Sequence, residues 1–310
     1  MRKDSVCFLQ EKIDMRVIFI GSIEFSWHCL AEILEKKLAN VVGIFNVLPK
    51  YNKDISDYRD QKDLAQTYHS PHFWFKNIND SKTVLSIKKL TPDLILLFGL
   101  SQIVKKEILE IPRIGILGTH PTLLPKNRGR APIPWSILKG LKKSGLTFFY
   151  LDQSADTGDI VDQMSWKITG RNDATSLYRK MTFAGKKMLV RTLPKIAKGI
   201  ERRTPQPQKS NYWPARKPSD GKISWNKSYL RVDRLIRATT KPYPGAFCFW
   251  NGYKIIIWKS KPLDNNLSFK VGTVIRLKKE GFLVKASRGI VKVQDWEPKS
   301  LAIAEGDILR

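Results

Sequence analysis

Cysteine is scarce in this chain, with three residues, Cys7, Cys29 and Cys248, among 310. They show no paired or metal-type spacing and leave one over, which argues against a disulfide framework and fits a reducing, cytoplasmic compartment. Apolar runs are short, and none approaches the roughly 18 residues of a membrane-crossing helix, so no membrane partner is expected. Met1–Asp14 has neither a long apolar core nor a small-residue cleavage site, which argues against a secretory signal and leaves a ragged extension or an upstream start ahead of the first strand. Only four histidines occur, and His28, His69 and His72 lack companions at ligand spacing, so no metal is implied. The first strand-to-helix turn, Gly21-Ser22-Ile23-Glu24-Phe25, lacks the Gly-x-Gly-x-x-Gly that brings a pyrophosphate onto a helix N-terminus. A nicotinamide dehydrogenase is thereby disfavoured.

Acidic residues are few: 28 Asp and Glu face 55 Lys and Arg, a net charge of +27. From residue 201 onward 23 basic residues face 9 acidic ones, so the C-terminal part is the more basic per residue. Such an excess favours phosphorylated or polyanionic partners, although most surface lysines are simply solvated.

The length allows two domains. Short apolar runs at Arg16–Ile20, Val41–Phe45, Leu94–Phe98 and Ile114–Leu117 read as buried parallel strands. Phe25–Leu34, Ser81–Leu90 and Val104–Ile111 carry apolar residues at helical spacing between them. This alternation predicts a doubly wound α/β domain over 15–200, in which ligands collect beyond the carboxyl ends of the strands. Leu146–Leu151 and Ile160–Ile168 read as further strands, and Ala174–Ile200 as a long helix that Pro194 kinks. Residues 201–221 hold four prolines and polar filler, the composition of a semi-extended linker. Beyond it, one helix (Tyr229–Ala238) and five short strands between Ala246 and Val293 predict a small β-barrel over 222–310.

The window Gly118 to Trp135 follows a predicted strand and combines His120, stiffening prolines and three cations, Lys126, Arg128 and Arg130. Histidine is the side chain best poised for proton transfer near neutrality, and His120-Pro121 sits at a sheet edge. A lone loop histidine is more often structural, and the neighbouring cations shift that balance. A second polar loop, Asp152 to Asp159, carries Asp156-Thr157-Gly158, which alone marks only a turn.

Together, His-Pro-Thr-Leu-Leu-Pro with Arg-Gly-Arg-Ala-Pro and, 36 residues after the histidine, Asp-Thr-Gly-Asp resemble the N10-formyltetrahydrofolate-dependent formyltransferase family. The resemblance runs from about Met15 nearly to the end, through Gly21-Ser22-Ile23-Glu24-Phe25 and Lys241-Pro242-Tyr243-Pro244-Gly245-Ala246. It implies a Rossmann-like catalytic domain, a C-terminal barrel of the OB type, and transfer of a formyl group from N10-formyltetrahydrofolate to a primary amine. It also implies His120 as the base and Asp156 as the carboxylate that orients it. The folate would rest against Leu100, Ser101, Gln102, Thr122, Leu123, Asp152 and Gly158. The family carries an asparagine two residues before the histidine as an oxyanion donor, whereas this chain has Gly118. Losing such a donor commonly costs on the order of 10²–10³ in rate. Thr119 or a protonated His120 is expected to substitute, with a binding protein that has lost the chemistry as the alternative.

Two amines compete within the resemblance: a nucleotide-linked amino sugar and the methionyl group of initiator tRNA. Lys126, Arg128 and Arg130 are placed to clamp a diphosphate, and Trp135, Tyr51 and Tyr58 to stack on a base. For tRNA, Arg231, Arg234 and Arg237 on one helix are spaced to follow a phosphate backbone. Against it, Asn46 to Tyr58 does not resemble the basic loop that tRNA formyltransferases insert there. It is similar to the acidic-aromatic version in sugar formyltransferases, as Tyr212 to Gly221 is to their linker. The sugar is therefore the expected partner, with the oligomeric state open and a homodimer among the options.

Overall fold

The structure is a computed structural model that describes residues 14–53, 55–265, 267–278 and 280–310. Cys7 and the extension Met1–Ile13 lie outside the described residues.

Alternating apolar residues lay down the sheet of the first domain. Its strands are β1 (Arg16–Ile20), β2 (Asn40–Val47), β3 (His72–Phe75), β4 (Leu94–Leu97), β5 (Gly115–His120), β7 (Lys143–Tyr150) and β8 (Ile160–Lys167). They lie in the order β3-β2-β1-β4-β5-β7-β8. β1 shows how both faces are covered: Val17 and Phe19 enter one core with α1 (Glu24–Glu35) and α6 (Ala174–Ala197). Ile18 and Ile20 enter the other, with α3 (Ser81–Lys89) and α4 (Lys106–Leu109). This is the period-two alternation of a strand buried on both sides.

The sheet is not wholly parallel. β1 to β5 pair in parallel, while β7 is antiparallel to both β5 and β8. The fold is thus Rossmann-like and parallel-dominant, with an antiparallel extension. The connection from β7 to β8 is a hairpin, too short for the helical crossover that parallel strands need.

The proline-rich segment is not a free tether. Thr204 and Ile160 exchange backbone hydrogen bonds at 2.8 and 2.9 Å. A short strand β9 (Tyr212–Trp213) pairs in parallel with β6 (Arg128–Gly129) in the histidine loop. The C-terminal domain follows with α7 (Tyr229–Thr239) and five strands: β10 (Ala246–Trp250), β11 (Tyr253–Leu263), β12 (Val274–Lys278), β13 (Gly281–Lys285) and β14 (Ile290–Glu297). These form an antiparallel sheet ordered β10-β11-β14-β13-β12. The two edges are joined by the last residues: Arg310 exchanges bonds with Phe249 at 2.6 and 2.8 Å, and Leu309 and Asp307 pair with Gly272 and Val274. α7 joins the domains, with Val232 and Ile236 in the C-terminal core and Ala238 in that of the first domain.

Candidate active site

His120 is the last residue of β5, at the carboxyl end of the parallel strands. Register sets it opposite Thr147, whose hydroxyl donates to the Thr122 carbonyl at 2.7 Å and so fixes the turn after the histidine. His120 is 4% exposed. Its Nε2 lies 2.8 Å from the Asn127 carbonyl and its Nδ1 3.6 Å from Asp156 Oδ2. Both ring nitrogens face acceptor oxygens, and a neutral ring donates to only one of them. The second distance is too long for a hydrogen bond, so the carboxylate acts on the ring through its charge.

Asp156 reaches this point by a detour. β7 runs against β5, so the β7–β8 loop leaves near Ile116, whose carbonyl accepts from Leu151 N at 2.8 Å, and folds back along the sheet. Asp152 closes the loop by accepting from Ser154 N at 2.9 Å and Thr157 Oγ1 at 2.5 Å. Asp156 takes the left-handed conformation, φ 60°, and its Oδ2 accepts from Gly129 N at 2.8 Å. Gly158 packs where a Cβ would lie 1.8 Å from the Tyr150 carbonyl oxygen.

Gly118 lies two residues before the histidine on the same strand, where a Cβ would meet Leu151 Cδ1 at 2.3 Å. The leucine end fills the space that a side chain at 118 would take.

The remaining predicted residues have mixed fates. Leu100 is half-buried and Ser101 exposed beyond β4, while Gln102 is tied to the next loop, accepting from Ile78 N at 2.7 Å and donating to the Lys76 carbonyl at 2.9 Å. Thr122 is wholly buried, donating to the Lys126 carbonyl at 3.0 Å, and Leu123 packs over Gly145. Lys126 and Arg130, in the same loop as His120, are exposed. Arg128 is not: it is 0% exposed, and its guanidinium donates to Gln206, Pro207, Gln208 and Tyr212. A phosphate clamp needs donors free to reach a ligand, so the expected triad reduces to Lys126 and Arg130. Trp135 lies within a helix, α5 (Pro132–Leu138), and donates through Nε1 to the Pro214 carbonyl at 2.9 Å, with Arg216 5.1 Å from its ring. Tyr58 is likewise engaged, donating to the Val47 carbonyl at 2.8 Å, while Tyr51 is 40% exposed.

The arginine series on α7 dissolves in the same way. Arg237 pairs with Asp233 at 2.7 Å and donates to the Asn172 carbonyl at 2.7 Å, and Arg234 lies against Gly140, which leaves Arg231 exposed. Among the described residues no group of three His, Cys, Asp or Glu is placed to hold a metal ion, and no helix is long and apolar enough to cross a membrane.

Residues 15–193 match the formyl transferase family, and residues 216–307 match the formyl transferase C-terminal domain. The chain belongs to the formyltransferase family. A methionyl-tRNA formyltransferase of Alkaliphilus oremlandii is 32% identical over 284 residues, 91% of each chain. The bifunctional polymyxin resistance protein ArnA of Wigglesworthia glossinidia brevipalpis is 42% identical over 244 residues, 77% of this chain and 37% of that one. Among solved structures, the N-formyltransferase of Helicobacter canadensis in complex with folinic acid and dTDP-3-aminofucose superposes with a TM-score of 0.63 at 19% identity, covering 90% of this chain and 99% of that one. At that identity the likeness is one of fold. As a member of the formyltransferase family the chain is an enzyme, and His120 and Asp156 are the groups in its histidine and aspartate loops that the fold brings together.

Proposed function

We propose that this formyltransferase moves the formyl group of N10-formyltetrahydrofolate to the primary amine of a nucleotide-linked amino sugar, with His120 as the base. Membership of the formyltransferase family and a structure of similar fold in complex with folinic acid support this donor. In the reaction the amine nitrogen bonds to the formyl carbon, the bond from that carbon to N10 breaks, and the proton lost by the amine ends on N10. Nε2–H of His120 is anchored on the Asn127 carbonyl, so the Nδ1 lone pair takes the amine proton. The resulting imidazolium has an acceptor oxygen beside each N–H, Asn127 on one side and Asp156 on the other. Proton transfer of this kind typically contributes about 10²–10⁴-fold.

The observation that carries the sugar reading is the state of the segment after β2. It is folded down onto the domain: Glu24 N donates to the Asp57 carbonyl at 2.9 Å, Arg59 N to the Ser22 carbonyl at 3.1 Å, and Asp57 takes the Tyr178 hydroxyl. Among the described residues, Asp57 and Arg59 of this loop are thus held against the domain, unlike a projecting arm that would follow a polyanion. Lys126 and Arg130, in the same loop as His120, suit the two phosphates of a nucleotide-sugar. The second reading, formylation of initiator tRNA, is favoured by full-length relatives that carry the methionyl-tRNA name and by the net charge of +27.

The test is incubation with N10-formyltetrahydrofolate and a panel of dTDP-, UDP- and GDP-linked amino sugars alongside charged initiator tRNA, with products read by mass. A formylated sugar is expected. Formylation of tRNA alone, falling steeply with salt as phosphate contacts do, would replace this reading with the second. No product with any amine would support a binding protein.

A further inference from the structure

The segment between the two domains lies across both loops of the dyad, and its contacts centre on Arg128. This cation is 0% exposed, and among the described residues no carboxylate pairs with it. A buried guanidinium without a counter-charge is strongly disfavoured unless fixed acceptors satisfy it. Here every acceptor comes from the linker. Gln206 Oε1 accepts from Nε at 3.3 Å and Nη2 at 3.0 Å, and the Pro207 carbonyl accepts from Nη2 at 2.9 Å.

Gln206 has a second partner. Its Nε2 donates to the Gly158 carbonyl at 2.6 Å, two residues beyond Asp156. Arg128 follows Asn127, whose carbonyl holds His120 Nε2. One amide side chain therefore ties the histidine loop to the aspartate loop. Asn211 reinforces the first of these: its Oδ1 accepts from Asn127 N at 2.9 Å and its Nδ2 donates to Asn127 Oδ1 at 2.8 Å. Those bonds hold Asn127 in its left-handed conformation, φ 62°, which aims the carbonyl at the imidazole.

We infer that Gln206 and Asn211 are positioning residues of the active site: the linker sets the His120–Asp156 separation and the orientation of the ring. The inference rests on the reading of His120 and Asp156 as the proton-transfer pair. It makes the interdomain segment part of the catalytic frame, so strain on the C-terminal domain is felt at the dyad.

The experiment compares Gln206→Glu, Gln206→Ala, Asn211→Ala and His120→Ala in the full chain. Glutamate keeps an acceptor for Arg128 but sets an oxygen against the Gly158 carbonyl, so it severs only the aspartate-loop tie. Kcat is expected to fall roughly 10- to 100-fold in both Gln206 variants, the scale of a small misplacement, with KM for the folate unchanged. The imidazole nitrogen NMR signals of His120 are expected to shift in these variants and in Asn211→Ala, which a general loss of stability would not produce. Wild-type kcat and unmoved imidazole signals in Gln206→Glu and Asn211→Ala would overturn the inference, and both variants alter exposed or half-exposed side chains that folding tolerates. His120→Ala separates the two levels. If it is inactive while the linker variants behave as wild type, the linker inference alone fails; if it keeps full activity, the dyad reading fails and the imidazole signals still decide whether the linker orients the ring.

Discussion

Single positions in the two loops owe their residue type to close approaches. Gly129 has φ 101°, and a Cβ there would lie 2.3 Å from the Trp213 carbonyl oxygen while its N–H serves Asp156. Gly129→Ala is expected to add backbone strain of about 1–3 kcal/mol and to lower kcat about 100-fold, read by thermal melting and steady-state rates. Gly118 is different, because the atom in its way is the mobile end of Leu151. Gly118→Asn is expected to leave kcat unchanged or raise it, with the larger gain beside Leu151→Ala. A fall in kcat in both backgrounds at wild-type Tm would show that an amide at 118 is not the missing donor. Asp57 gives a pH prediction. Burial pushes its carboxyl above the usual range, only partly offset by the Tyr178 hydroxyl. The folded protein therefore holds this proton more tightly than the unfolded chain. Its contribution to stability is full below the unfolded value of about 4 and declines as pH rises through the higher folded value. Asp57→Asn keeps an acceptor for Tyr178, and it is expected to raise Tm at neutral pH and flatten that decline in melts taken across the acid range.

At the level of elements, α6 is nucleated by a capping box in which the Asp173 side chain accepts from Ser176 N at 2.8 Å and Ser176 Oγ accepts from Asp173 N at 2.9 Å. Asp173→Ala is expected to cost about 1 kcal/mol, and Asp173→Asn much less, in chemical denaturation. This helix and β1, β4, β5 and α1 are legible in the sequence because their apolar periodicity is strong. β3 is not, since its His-Phe-Trp-Phe is a half-exposed edge strand of four residues following Pro71. α5 is hidden by Pro132 and Pro134, which read as turn residues yet sit in the first helical turn, where no backbone donor is needed. The antiparallel sense of β7 is equally hidden, because a buried strand has the same apolar pattern in either direction. In the candidate site the histidine and aspartate are legible from the paired loops, while Gln206 and Asn211 look like linker filler. Their only sequence signal is the polar side chains among prolines in a segment that would otherwise stay solvated.

Over the whole molecule, the final residues join β10 to β12, and Leu309, 2% exposed, packs into the C-terminal core. Leu309→Ala is expected to cost about 2–5 kcal/mol and to lower the melting of the C-terminal domain more than that of the catalytic one, resolved by hydrogen exchange. The net charge of +27 is likewise a property of the molecule, and the structure redistributes it: Arg128, Arg234 and Arg237 turn inward onto linker, helix and loop, while Lys126, Arg130 and Arg231 remain at the surface. The two-domain α/β-then-β order, the family and the histidine and aspartate loops are written in the sequence, because periodicity and local motifs lie in neighbouring residues. Which cations face solvent, how the β7–β8 loop returns to His120, and how the linker closes over both loops come from the folded chain. Those depend on contacts between residues far apart in the chain, which no local pattern encodes.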